Sequence, residues 1–179
     1  MLLDCHRSLL LLIDVQENNI NSIHQHEQLV ANCRDLVKVA KAFNVPVLAS
    51  EHVPEKTGPI VAELQHLIEA DSRFSKQEFS AQAAGVMRIQ SSNRQQIIVA
   101  GVETHICVMQ TALELLDDKY QVYVVADATD SCFPEDRGLA LQRMQQCGIQ
   151  LLSKQMVLFE WARYANNPIY QGLSSQMLK

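Results

Sequence analysis

Residues 8–14 form an unbroken apolar run that ends in a carboxylate, Ser-Leu-Leu-Leu-Leu-Ile-Asp. Continuous apolarity predicts a strand covered on both faces, because a half-exposed strand alternates polar and apolar positions. Shorter runs at 45–49, 97–100, 121–126 and 149–152 predict four more strands. Between them the apolar period becomes helical. Residues 27–43 set Leu29, Val30, Cys33, Leu36, Val37, Ala40 and Phe43 at that spacing. Helices are also predicted over 60–68, 81–90, 105–116 and 134–146, with a last one through Met156, Leu158, Phe159 and Trp161. Residues 51–59 and 127–133 read as loops, 71–80 as a polar segment carrying Phe74 and Phe79, and the last dozen residues as an arm or frayed tail.

Strand and helix alternate along the whole chain. The expected fold class is therefore α/β, a three-layer α-β-α sandwich with a mostly parallel, Rossmann-like sheet, as one domain over 1–179. Composition agrees: 47% of residues are hydrophobic and 20% charged, an ordinary soluble balance. The net charge of −5, with no basic block, argues against nucleic-acid binding. The apolar run near the start is too short to cross a membrane and lacks a small-residue cleavage site. Five cysteines, at 5, 33, 107, 132 and 147, show neither a CxxC pair nor zinc-ligand spacing. They read as free thiols of a cytoplasmic protein.

In an open parallel sheet, ligands bind outside the carboxyl ends of the strands. Asp14 ends the first strand, and Cys107 follows the third across the short turn Gly101-Val102-Glu103-Thr104. With Thr104 as N-cap, Cys107 falls in the first helical turn, where unpaired amides and the helix dipole favour a thiolate. The alternative is a buried, inert thiol on the inward helix face. Asp14, placed directly after apolar residues, is a candidate proton acceptor or a capping aspartate. Lys76, between Phe74 and Phe79, is either a pocket cation or a solvated surface lysine. His105 lies two residues from Cys107, so on a helix the two side chains diverge by about 200°. It reads as a surface or interface residue.

Four stretches complete a recognisable pattern: Leu12-Ile13-Asp14-Val15-Gln16, Phe74-Ser75-Lys76, Gly101 through Val108, and Val125-Ala126-Asp127-Ala128. The chain resembles the isochorismatase-like cysteine hydrolase superfamily, and within it the isochorismatase-domain-containing branch. The resemblance implies a catalytic triad of Asp14, Lys76 and Cys107. It implies an oxyanion hole from the backbone amides of Glu103 and Cys107, and a cis peptide between Val102 and Glu103. It implies a small amide or related carbonyl substrate, with Gln16, His52 and Phe74 at the pocket, no cofactor, and a homo-oligomer of two or more chains.

Metal-dependent nicotinamidases of the superfamily carry an aspartate and two histidines after the second strand. Here Glu51 and His52 stand in that segment without a further histidine nearby, a poor zinc site. Isochorismatases proper need no cysteine nucleophile, so Cys107 argues against vinyl-ether cleavage. Two functions follow for testing: a thiol hydrolase, or a non-catalytic small-molecule binding or scaffolding protein of the same fold. Trp161 and Tyr164 in the last helix are expected to face another subunit.

Overall fold

Leu9, Leu11 and Ile13 point to one side of the sheet and Leu10 and Leu12 to the other, so the first strand feeds two separate cores. The structure, a computed structural model, describes residues 1–177, with side chains as far as Leu173. Its strands are β1 (Ser8–Ile13), β2 (Val47–His52), β3 (Arg73–Lys76), β4 (Gln96–Val102), β5 (Gln121–Asp130) and β6 (Gln150–Leu152). The helices are α1 (Glu17–Ile20), α2 (His26–Ala42), α3 (Pro54–Thr57), α4 (Ala62–Gln65), α5 (Gln82–Ser91), α6 (Met109–Asp117), α7 (Pro134–Gln146), α8 (Lys154–Ala162) and α9 (Pro168–Met177).

All the strand pairs of the sheet are parallel, and their order is β3-β2-β1-β4-β5-β6. This is the Rossmann order, with the chain reversing direction of travel between β1 and β4. Apolar residues of α2 and α8 cover one face, and those of α5, α6 and α7 cover the other. The three-layer expectation is met.

Several expectations change. The predicted loops are partly regular: α3 lies within 51–59, and β5 continues to Asp130 within 127–133. The segment 71–80 contains β3, an edge strand. It was hidden because its second buried position is a lysine, so Phe74 and Lys76 do not read as an apolar alternation. The tail is helical from Pro168, and Tyr170 packs its ring 5.3 Å from that of Phe159; positions 178 and 179 lie outside the described residues. Trp161 faces the core, not a partner. It is buried and donates from Nε1 to Ser8 Oγ at 3.0 Å, whereas Tyr164 is exposed. Among the described residues, no helix is long and apolar enough to cross a membrane.

Candidate active site

Three strand ends meet at the switch point. Ile13 lies beside Ser50 of β2 and Gly101 of β4, so the next residue, Asp14, leaves the sheet between them. Its φ of 50° turns the chain while its amide still donates to the Ser50 carbonyl at 3.2 Å. The Ser50 hydroxyl donates to Asp14 Oδ1 at 2.6 Å. Lys76, the last residue of β3, reaches in from two strands away and sets Nζ 2.6 Å from Asp14 Oδ2. The same ammonium donates to the carbonyls of Glu78 and Phe79 at 3.1 and 2.8 Å. A buried charge without partners costs several kcal/mol, and these three acceptors remove that cost for a lysine whose side chain has 0% exposure.

Cys107 arrives from the other side. Gly101 has φ +118°, and a Cβ there would stand 2.1 Å from the Ile13 carbonyl oxygen, so only glycine fits between the strand ends. The Val102–Glu103 peptide is cis. Thr104–Val108 then forms a π-helical turn that runs into α6. Glu103, not Thr104, is the N-cap, and it caps without its side chain. The Thr104 hydroxyl is instead paired with Thr129 Oγ1 at 2.9 Å, and Thr129 donates to the Gly101 carbonyl at 2.8 Å. Cys107 therefore sits one residue deeper than the spacing suggested, on the buried side of the turn.

That depth reverses the expected charge state. The Cys107 thiol is pushed from 9.0 up to about 12, first by burial and then by the negative charge of Asp14. The positive charge of Lys76 pulls the other way. The helix-terminus field does not win against desolvation and a neighbouring carboxylate. The resting group is a protonated thiol held beside the Asp14 carboxylate. Alkylation by iodoacetamide should therefore keep accelerating at Cys107 beyond about pH 10, with no plateau near the usual thiol range. Peptide-resolved mass spectrometry, with exposed Cys147 as reference, reads this directly. A plateau between about pH 8 and 9 would show the thiol to be free of Asp14 and of burial.

A cavity of about 320 Å³ opens over Asp14 and Cys107, walled by Gln16, His52, Phe79, Val102 and Ile106 among others. Gln16 lines it but spends its amide on structure. Nε2 donates to Thr57 Oγ1 and the Gly58 carbonyl, both at 2.6 Å, and Oε1 accepts from the His52 amide at 2.8 Å. Its removal strands buried backbone groups, so Gln16→Ala should cost ~2–3 kcal/mol, read as a lowered urea midpoint. The His52 ring lies 5.6 Å from that of Phe79.

Phe74 does not line the cavity. It is buried under β3 against Gly85, whose added Cβ would come within 2.8 Å of the ring, and Phe79 takes the wall position instead. Glu51 Oε1 accepts from the Ile60 amide at 3.0 Å, so that carboxylate holds a loop. Among the described residues, no three His, Cys, Asp or Glu side chains are grouped to hold a metal ion. Cys33 is wholly buried near the Ala128 carbonyl, away from the cavity. His105 packs beside Ser131 Oγ at 3.0 Å, outside the thiol's surroundings. Ser50 was not singled out from sequence, although its place at the end of β2, level with Ile13 in a parallel register, is the signal that finds it.

Residues 8–156 match the family model described as the isochorismatase domain. The chain belongs to the isochorismatase family. It is 36% identical to mouse isochorismatase domain-containing protein 2A over 167 residues, which covers 93% of this chain and 80% of the relative. This places it with the domain-containing branch of the isochorismatase-like hydrolases. Among solved structures, the YcaC gene product of Escherichia coli superposes with TM-score 0.92 and 28% identity, over 98% of this chain and 88% of that one. YcaC is described as an octameric hydrolase of unknown specificity. A structure described as MAR1 ribonuclease from Caenorhabditis elegans superposes with TM-score 0.93 at 25% identity, over 100% of this chain and 93% of that one.

Proposed function

We propose that this protein is a cysteine hydrolase that cleaves a small amide, or a related carbonyl compound, through a thioester on Cys107. The observation that carries this reading is the buried Asp14–Lys76 ion pair at 2.6 Å, with Asp14 and Cys107 lining one cavity and the thiol within reach of the charges of both. Lys76 and Ser50 hold the Asp14 carboxylate in place. Asp14 takes the thiol proton as Sγ attacks the carbonyl carbon. The carbonyl π pair moves to oxygen, and the amides of Glu103 and Cys107 hold that charge. When the C–N bond breaks, the amine leaves with the proton from Asp14. Asp14 then deprotonates a water that attacks the thioester, and the carboxylic acid departs as the thiol re-forms.

The YcaC neighbour supports a hydrolase and a self-associating one, so a homo-oligomer is part of the reading. Ribonuclease activity is not carried over from the C. elegans neighbour. Fifteen Lys and Arg residues against twenty Asp and Glu leave this chain at −5, and among the described residues no lysine or arginine lines the cavity.

Trapping tests the proposal. The protein is incubated with small amides and esters, quenched in acid, and weighed intact. An acyl adduct on Cys107, absent from the Cys107→Ala (C107A) protein, is expected. Turnover by C107A at the wild-type rate would remove Cys107 as the nucleophile. Reversible binding without any adduct or product would favour the binding-protein alternative.

A further inference from the structure

The cavity wall is polar without being cationic. Asp14, Gln16, Asn19, Ser22, His52 and Glu103 are its polar members, and among the described residues neither lysine nor arginine joins them. Lys76, the nearest fixed cation, is not available to a ligand. Its side chain has 0% exposure and its ammonium already serves Asp14 and two carbonyls. Glu103 is a different case from Asp14. It contributes to the wall, its side chain is 25% exposed, and no lysine or arginine pairs with it. Its Oε2 accepts from the Cys132 amide at 2.9 Å, and the nearest ionisable partner is the His105 ring at 4.0 Å.

A ligand bearing a permanent carboxylate would therefore lose its water in this cavity without meeting a lysine or arginine among the described residues, next to the Glu103 carboxylate, whose ionisable neighbour is the His105 ring at 4.0 Å. On the hydrolase reading, the amides of Glu103 and Cys107 serve the charge that develops during attack. From this asymmetry we infer that Glu103 sets the charge class of the substrate: a small uncharged or cationic amide, with anionic substrates rejected. The inference rests on the hydrolase reading for the word substrate. The charge selection itself is a property of access to Cys107.

Matched methanethiosulfonates test it without turnover. Each transfers its thio group to a thiolate and releases methanesulfinate, so only access and charge differ between reagents. The trimethylammonioethyl reagent is cationic and the sulfonatoethyl reagent anionic, at similar size. Rates at Cys107 are measured near pH 8.5 by peptide mass spectrometry and divided by those at exposed Cys147 on the same molecule. The cationic reagent should be favoured at Cys107 by about tenfold or more. Glu103→Gln, which keeps an acceptor for the Cys132 amide, should reduce that ratio several-fold. Raising the salt from about 0.02 to 0.5 M should compress it in the wild-type protein, a check that needs no variant.

A ratio near one, a preference for the anion, an unchanged ratio in Glu103→Gln, or no reaction at Cys107 with either reagent overturns the inference. Failure here with successful acyl trapping would leave the hydrolase reading standing. Success here without any acyl adduct would leave a charge-selective pocket and remove the hydrolase.

Discussion

Asp14→Asn should make Cys107 easier to ionise and at the same time abolish turnover. The two effects have opposite signs because, in the proposed mechanism, Asp14 acts twice. Its charge raises the thiol, and Lys76 lowers it. Asparagine removes the first influence and keeps the second, so iodoacetamide labelling at neutral pH should speed up. Hydrolysis needs the carboxylate to take the proton and return it to the leaving amine, and an amide side chain does neither. A positioned general base contributes about 10²–10⁴-fold, so kcat/KM should fall by at least about 10². Lys76 is left buried without its counter-ion, and the protein should lose ~3–5 kcal/mol of stability. A urea titration therefore accompanies the kinetics, which are taken where the variant is folded. Turnover within tenfold of wild type would mean that Asp14 is not the base. Slower alkylation would mean that its charge does not raise the thiol.

The parts of this arrangement that sequence made legible share one property: they are carried by long apolar runs. Leu9 through Ile13 and Ile97 through Ala100 can only be central strands, and a parallel sheet sends their carboxyl ends to one edge. Asp14 and Cys107 follow from that. The rest depended on contacts that a one-dimensional pattern does not hold. From its neighbours alone Lys76 reads equally as a pocket cation or a surface lysine; the pairing of β3 with β2, which brings its ammonium to Asp14, separates the two. Thr104 looks like a helix cap until Thr129 arrives from β5 to take its hydroxyl. The thiol looks acidic from its helix position, and burial decides otherwise. Phe74 and Phe79 are alike in sequence; the strand turns the first into the core and leaves the second beside the cavity.

Gly101→Ala should be the most damaging single methyl group in the protein. The new Cβ would stand 2.1 Å from the Ile13 carbonyl oxygen, a backbone atom that cannot rotate away. The residue must also keep φ +118°, a conformation that an L side chain strongly resists. Overpacking and backbone strain together should cost ~4 kcal/mol or more, a large part of the ~5–15 kcal/mol that holds a typical domain. The urea midpoint followed by circular dichroism is expected to collapse, or no folded protein is recovered. An unchanged midpoint would show that β1 and β4 are not packed this closely. Any Gly101→Ala protein that does fold should have moved Asp14 and Cys107 apart, because the clash lies on the line between their strands.

Gln16 carries a consequence of another kind. Its amide grips the loop after β2 at the His52 amide and the Gly58 carbonyl, with one hydroxyl between them from Thr57. Apart from that hydroxyl it reads main chain, which every amino acid supplies. The tether is thus nearly blind to the identity of the side chains it anchors. The side chain of His52 can be exchanged without removing the main-chain groups that Gln16 holds. Diversification of ligand preference within one scaffold would pass most easily through that loop.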